Sequence, residues 1–195
     1  MIAWNSTAQN YLNTRAPILP QWLIWVSAKT LAGAPIEVGF WTGDDHQDFV
    51  INSVTRTYYG AQGAIELPSM TYEIGTGVAS ADLVLSLSPE GEQMVRGYNI
   101  RFAPMEIHCA LFRPDTSALL DVQRFFKGSI DGSPIPTPAM GGKTSLPLKL
   151  VSSMRTGTMT RAGKKSDQSQ RRRSNDPFRQ YGDLGVVASD PWGGA

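Results

Sequence analysis

Apolar and polar positions alternate most clearly between Leu83 and Asp131, and the rest of the chain reads as an elaboration of that stretch. Leu83, Leu85 and Leu87 alternate with Val84 and Ser86, a period of two that predicts a strand with one apolar face. Ser88 then offers a helix cap, Pro89 suits a first helical position that needs no N–H, and Glu90 and Glu92 fall at the positive end of the helix dipole. Met94, Val95 and Tyr98 supply a narrow apolar stripe, and Gly97 or Asn99 ends the helix. Met105, Ile107, Cys109 and Leu111 next alternate with Glu106, His108, Ala110 and Phe112, up to the turn residues Pro114, Asp115 and Ser117. Residues 119–130 return as the partner strand. The spacing therefore predicts strand, helix, strand, turn, strand.

The same reading extends in both directions. Ser6 or Thr7 caps one or two helical turns ending near Arg15. Residues 21–29 carry Trp22, Ile24, Val26 and Ala28 on one side and Leu23 and Trp25 on the other, so both faces of this strand should be covered. A turn at 31–35 leads to a second arm at 36–41. After the acidic loop of Asp44, Asp45 and Asp48, residues 49–51 and 54–59 are β-branched and aromatic, until Gly60 and Gly63 break the run. Residues 65–74 hold one strand or two, and Gly75 and Gly77 a bend or bulge. Residues 133–138 form a stiff extended loop, and 143–153 a last strand whose Pro147 suits a sheet edge. Short strands between Gly and Pro turns predict a mainly β fold of two packed antiparallel sheets, a β-sandwich or split barrel, with one short flanking helix and an extended C-terminal arm. The expected division is a lead-in over 1–21, a β-sandwich domain over 22–153 and the arm over 154–195.

Charge separates that arm from the rest. Residues 1–153 hold 10 Lys+Arg against 13 Asp+Glu, a net −3, whereas 154–195 hold 8 against 4, a net +4. Arg161, Lys164, Lys165, Arg171, Arg172 and Arg173 lie within thirteen residues nearly devoid of apolar groups, so the segment cannot pack by itself. Aromatics then return at Phe178, Tyr181 and Trp192. On charge alone the arm could contact nucleic acid, dock on a protein neighbour or remain a solvated tail; the aromatics favour docking, since a solvated tail has no use for them. Arg161, Arg171, Arg172, Arg173, Phe178, Tyr181 and Trp192 are therefore the candidate subunit-contact residues.

Candidate chemistry is sparse. The single cysteine, Cys109, excludes an intrachain disulfide and any multi-cysteine metal site, and its place on an apolar strand reads as a small core hydrophobe. Asp44, Asp45, His46 and Asp48 are hard-metal ligands by type, but the later bidentate Glu of a calcium loop is missing, so the stretch reads as a solvated acidic turn. Gly141-Gly142-Lys143-Thr144 resembles the end of a phosphate-binding loop, yet Thr137 stands where the first glycine is required. The two histidines, His46 and His108, assemble no triad with Cys109, which alternates away from His108; His108 reads as solvent-facing or paired. No catalytic residue, cofactor or metal is expected, and no enzymatic activity. The N-terminus lacks a basic region, its apolar patch is broken by Pro17 and Pro20, and its longest apolar run is far short of the ~20 residues a span needs, so no export or membrane insertion is expected.

Three short motifs carry a family resemblance. Gly39-Phe-Trp-Thr-Gly-Asp-Asp-His-Gln-Asp-Phe49 follows a strand–turn–strand and resembles the Gly-Phe-Thr-Asp-His-Asp type segment of tail-tip hub and distal-tail proteins of long-tailed, non-contractile bacteriophages and gene transfer agents. Phe126-Lys-Gly-Ser-Ile-Asp131 is similar to their strand ending in Gly-x-Ile/Val-Asp. The basic run at 161–173, Asp176-Pro-Phe178-x-x-Tyr181 and Trp192-Gly193 are similar to their closing pattern of basic residues, Gly-Asp-x-x-Phe-x-x-Tyr and Trp-Gly. Asn175 stands where glycine is usual, and the acidic loop has one extra residue.

The resemblance implies a tail-tube-like fold and a structural role in a virion's tail tip or baseplate. There a ring, trimeric or hexameric, continues the tail tube and connects it to hub or receptor-binding components. The chain would be the hub itself or a smaller ring component beside it, with tail-tube, hub or fibre proteins as neighbours, DNA passing through the channel, and assembly in the host cytoplasm. The alternative from another class is a nucleic-acid-binding β domain, in which Arg171, Arg172 and Arg173 contact phosphates and Phe178 or Tyr181 stacks on bases.

Overall fold

The computed structural model of the chain describes residues 4–61, 65–67, 78–86, 89–134, 136, 145–158 and 165–180. Among these residues it forms α1 (Ser6–Asn13), β1 (Leu19–Thr30), β2 (Pro35–Trp41), β3 (Gln47–Ile51), β4 (Val54–Gly60), β5 (Ile65–Glu66), β6 (Ser80–Ser86), α2 (Pro89–Gly97), β7 (Tyr98–Asn99), β8 (Pro104–Phe112), β9 (Leu119–Gly132), β10 (Ser145–Ser152), α3 (Arg155–Thr158) and α4 (Asp167–Arg171). Two compact units result, Met1–Gly157 and Thr158–Ala195.

In the first unit the strands join in one hydrogen-bonded path, β3-β4-β2-β1-β8-β9-β10-β6-β5, with β7 beside β1. The mainly β fold with a flanking helix is as the sequence predicts. The two separate antiparallel sheets are not what forms: the path is continuous, and it is mixed because β2 and β4 run parallel, Phe40 opposite Tyr59 and Trp41 opposite Gly60. The cause lies in the β3–β4 hairpin. Its turn residues Asn52 and Ser53 both have positive φ, 50° and 64°, the backbone of a two-residue turn that matches strand twist. The hairpin lays Phe49, Ile51 and Tyr58 against Leu23, Trp25, Trp41, Ala110 and Phe112 of β1, β2 and β8, while its last residues pair with the end of β2. It thus makes a second layer without leaving the sheet.

Both faces of β1 are consequently covered, as its unbroken apolar run implies. Ile24, Val26 and Ala28 enter the main core with Phe40 of β2, Ile107 of β8, Ile130 of β9, Leu148 of β10, Leu83 of β6 and Met94 of α2. Leu23 and Trp25 face the hairpin layer. Fully burying a side chain of this kind stabilises by about 1.5–3 kcal/mol, so each deletion in either layer is costly. The stretch from Leu83 to Asp131 appears as β6, α2, β8 and β9 as predicted, except that α2 ends at Gly97 and Tyr98, expected on the helix stripe, lies in β7 opposite Thr30. The β8–β9 turn places Ser117 at φ 52° and is tied by Arg113 to Asp115 at 3.0 Å.

Two local expectations need correction. The N-cap of α1 is Asn5 rather than Ser6 or Thr7: its Oδ1 accepts from the Ala8 N–H at 2.7 Å. Asn5 also donates to Asp121 Oδ2 (2.7 Å) and the Leu120 carbonyl (3.1 Å), which fastens α1 to β9, a long-range tie with no local signature. Pro147 does not lie on an edge strand, because β10 runs between β9 and β6. It is tolerated there because β9 pairs only with residues 149–152 of β10, leaving Pro147 a neighbour, Val84, on one side alone. Leu87, Ser88, Gly63, the 68–74 part of the one or two strands expected over 65–74, the bend at Gly75 and Gly77, and Gly141 to Thr144 lie outside the described residues.

The second unit, taken by itself, shows the short helix α4 among its described residues. Ser166 caps α4 by accepting from the Ser169 N–H at 3.3 Å, and Arg171 pairs with Asp167 at 2.7 Å. Asp176 accepts from Gln170 Nε2 at 2.5 Å and from the Phe178 N–H at 3.0 Å, closing the turn that follows.

Candidate functional site

Among the described residues of the first unit, a polar group centred on Glu106 lies between the β3–β4 hairpin and the sheet face beneath it. Antiparallel pairing sets Trp25 opposite Glu106 and Leu23 opposite His108, so all four side chains share that face. From the hairpin, β4 presents Arg56 and Tyr58. Arg56 Nη1 lies 3.0 Å from Glu106 Oε2, its guanidinium 5.0 Å from the Trp25 ring, and the Tyr58 ring 5.2 Å from Trp25. Arg124 and Lys127 of β9 reach the other Glu106 oxygen at 3.5 and 3.8 Å, and His108 Nε2 is 3.9 Å from Oε2. Gly39 sets the spacing of the layers: a Cβ there would stand 2.8 Å from the Thr57 carbonyl oxygen and from the Trp25 ring.

The charges of this seam follow from its burial. Burial acts to raise the Glu106 pKa, but the hydrogen bond from Arg56 and the charges of His108, Arg56 and Arg124 outweigh it and hold the carboxyl below its ordinary value. Burial pushes His108 down to about 4; Glu106 opposes the shift while Arg56 and Arg124 add to it, so the ring is neutral at neutral pH. Burial likewise pushes Tyr58 up to about 12 against the pull of the Arg56 charge. The Tyr58 hydroxyl feels that charge without a hydrogen bond of good geometry, and Trp25 Nε1 and His108 Nδ1 are also buried without partners. Each such group costs about 1–3 kcal/mol, which leaves apolar packing and the Arg56–Glu106 pair to hold the layer down. The arrangement is a clamp that seats the hairpin.

The residues singled out from the sequence fall as follows. His108 is not solvent-facing, being 2% exposed, because the hairpin covers its side of β8; its Nε2 lies 3.9 Å from Glu106 Oε2, beyond hydrogen-bond reach, and the neutral ring makes no ion pair there. Cys109 is buried, opposite Trp22 of β1 and Gln123 of β9, and its thiol pKa is raised by that burial, in keeping with a core hydrophobe. Asp44, Asp45 and Asp48 are exposed, the Asp45 carbonyl accepts from Trp41 Nε1 at 2.6 Å, and the His46 ring packs edge-on to Tyr59 at 4.8 Å. Among the described residues no three His, Cys, Asp or Glu side chains gather as a metal-ligand set. Of the candidate contact residues, Arg171, Arg172 and Arg173 are exposed on or just after α4, and Phe178 is 82% exposed. Arg161, Tyr181 and Trp192 lie outside the described residues. The clamp has little local signature in the sequence: β8 carries Glu106 and His108 among apolar residues, and the partner Arg56 is fifty residues away.

No family model matches the sequence, and no curated protein matches it. Among solved structures, a chain from the virion of a native gene transfer agent particle is similar, with a TM-score of 0.51 and 12% identity over 84% of this chain and 50% of that one. The present chain thus spans about half the length of that chain. What the two share is the fold.

Proposed function

We propose that the chain is a structural protein of a phage-like virion, working at the tail tip, where copies form a ring that continues the tail tube and joins it to hub or receptor-binding components. The observation that carries this reading is the fold similarity, over 84% of the chain, to a chain from a gene transfer agent virion. The motifs at 39–49, 126–131 and 161–193 favour the tail tip in particular, as the hub or as a smaller ring component beside it. Among the described residues the sheet path ends in β3 on one side and β5 on the other, and such edges are protected when they meet further protein in a closed assembly. In this reading the Arg56–Glu106 seam is structural rather than catalytic, and assembly takes place in the host cytoplasm.

The arm supplies contacts to neighbouring subunits or tail proteins, because arginine and aromatic side chains dominate interface energies. Both hydrophobic clusters lie wholly within Met1–Gly157, so deleting residues 158–195 should leave a folded domain with a near-unchanged melting temperature that no longer enters particles. Truncated protein found in infectious particles refutes the arm's role. The exposure of Arg172, Arg173 and Phe178 also favours a second reading, DNA binding by the arm. That reading requires saturable binding with an affinity loss of about 40-fold between 50 and 200 mM salt for three phosphate contacts, and more if further basic residues of the arm take part.

A further inference from the structure

The turn between β7 and β8 displays an aromatic ring in a backbone conformation that bulky residues rarely adopt. Phe102 has φ 61° and is 51% exposed. The turn is pinned in place: the Phe102 N–H donates to the Ile130 carbonyl at 2.7 Å, the Ala103 N–H to Ile100 at 3.0 Å, and the Ile130 N–H to Ala103 at 3.1 Å. The ring is flanked by guanidinium groups, that of Arg101 at 5.0 Å and that of Arg155 at 6.0 Å from its centroid. Asp131 fixes Arg155 at 2.7 Å, whereas Arg101 is exposed and makes no ion pair among the described residues. A strained, rigid aromatic knob with adjoining positive charge is the kind of feature that persists when something is gained by presenting it.

The same unit carries a groove of complementary character. Ile36, Tyr59, Pro89 and Tyr98 line a space of about 340 Å³, together with Glu37 and Glu90. A cavity of about 150 Å³ suffices to hold a benzene ring, so a phenyl side chain fits comfortably. Glu37 and Glu90 are exposed, and neither forms an ion pair among the described residues, although nearby Glu92 and Arg96 neutralise each other at 3.1 Å. The pinned turn leaves Phe102 half-exposed, and the ring is not part of the lining of its own groove. Two copies can satisfy what one cannot.

We propose that Phe102 of one copy inserts into this groove of a second copy, with Arg101 meeting the carboxylates of Glu37 and Glu90. This contact rests on the reading of the chain as an assembly of copies, and it assigns the self-contact to the β domain rather than to the arm. A knob-and-groove contact between identical chains closes as a pair or repeats around a ring.

The test is sedimentation velocity of the full-length chain over a concentration series. Wild type should self-associate. Phe102→Gly should weaken association by at least about tenfold, because it deletes the knob. Glycine accepts positive φ without strain, so that variant should melt no lower than wild type, which separates the contact from a folding role. Arg101→Glu should also weaken association, and adding Glu90→Arg to it should restore much of the loss. Phe102→Gly associating as tightly as wild type overturns the proposal, as does a reversal pair with no rescue. A wild-type chain that stays monomeric yet is incorporated into virions overturns this contact and leaves the virion reading standing. Association through Phe102 by a chain found in no particle does the converse.

Discussion

Replacing Glu106 with glutamine keeps the shape of the side chain and removes its charge. The Arg56 and Glu106 side chains are 18% and 17% exposed at a separation of 3.0 Å, so the pair is mostly withdrawn from water. Removing one partner of a fully buried pair costs about 3–5 kcal/mol, and an exposed pair is worth about 0–1 kcal/mol. At this burial, with the Trp25 ring still beside the guanidinium, the expected cost is about 2 kcal/mol. Arg124 and Lys127 contribute little, because their side chains are 48% and 57% exposed. For a domain of this size each kcal/mol moves Tm by about 2–4 °C, so Glu106→Gln should melt about 4–8 °C lower. The assay is a thermal melt followed by near-ultraviolet circular dichroism, in which Trp25 and Tyr58 report on the layer. Arg56→Met completes a double-mutant cycle, and the double variant should cost about 1–2 kcal/mol less than the two single variants together. Additive single variants, or a Glu106→Gln melt that does not move, refute the clamp.

Acid should loosen the same layer. The folded pKa of His108, about 4, lies below its ordinary 6.5, so the unfolded chain takes up that proton first and stability falls as pH drops from 6.5 towards 4. The loss reaches about 3 kcal/mol at 1.36 kcal/mol per pH unit, and the contribution of Glu106, whose pKa is also depressed, goes at the acid end of the range. Urea unfolding between pH 7 and 4 measures the decline, which should flatten in His108→Leu; an unchanged slope contradicts the assignment. Gly39→Ala should cost about 1–3 kcal/mol by urea unfolding, because the new methyl meets the Thr57 carbonyl and the Trp25 ring, and a neutral outcome would mean the hairpin is not seated there. Cys109→Ser should cost about 1–3 kcal/mol, and the native thiol should label slowly; rapid stoichiometric labelling contradicts its burial.

Local rules made the centre of the fold legible. The alternation of Leu83 to Leu85 and of Met105 to Leu111, the Pro89-Glu90 helix start and the Pro114–Ser117 turn each act over a few residues, and β6, α2, β8 and β9 follow them. The unbroken apolar run of β1 also foretold two covered faces. Illegible features depend on distance in sequence or on register. Nothing near Arg56 or Glu106 announces a pairing across fifty residues, and Asn5 gains its capping role partly from Asp121 and Leu120. Pro147 reads as an edge residue because sequence alone does not reveal that β9 stops pairing with β10 at Lys149. The candidate site divides similarly: the basic residues and Phe178 of the arm are conspicuous by composition, whereas Phe102 becomes notable only through its positive φ.

The most direct test of a tail-tip role is to locate the chain in the particle that contains it, by imaging purified particles with the chain marked by an epitope tag. The label should mark a ring of copies around the channel at the distal end of the tail. A label on the head, or particles that contain no copy of the chain, would contradict that role.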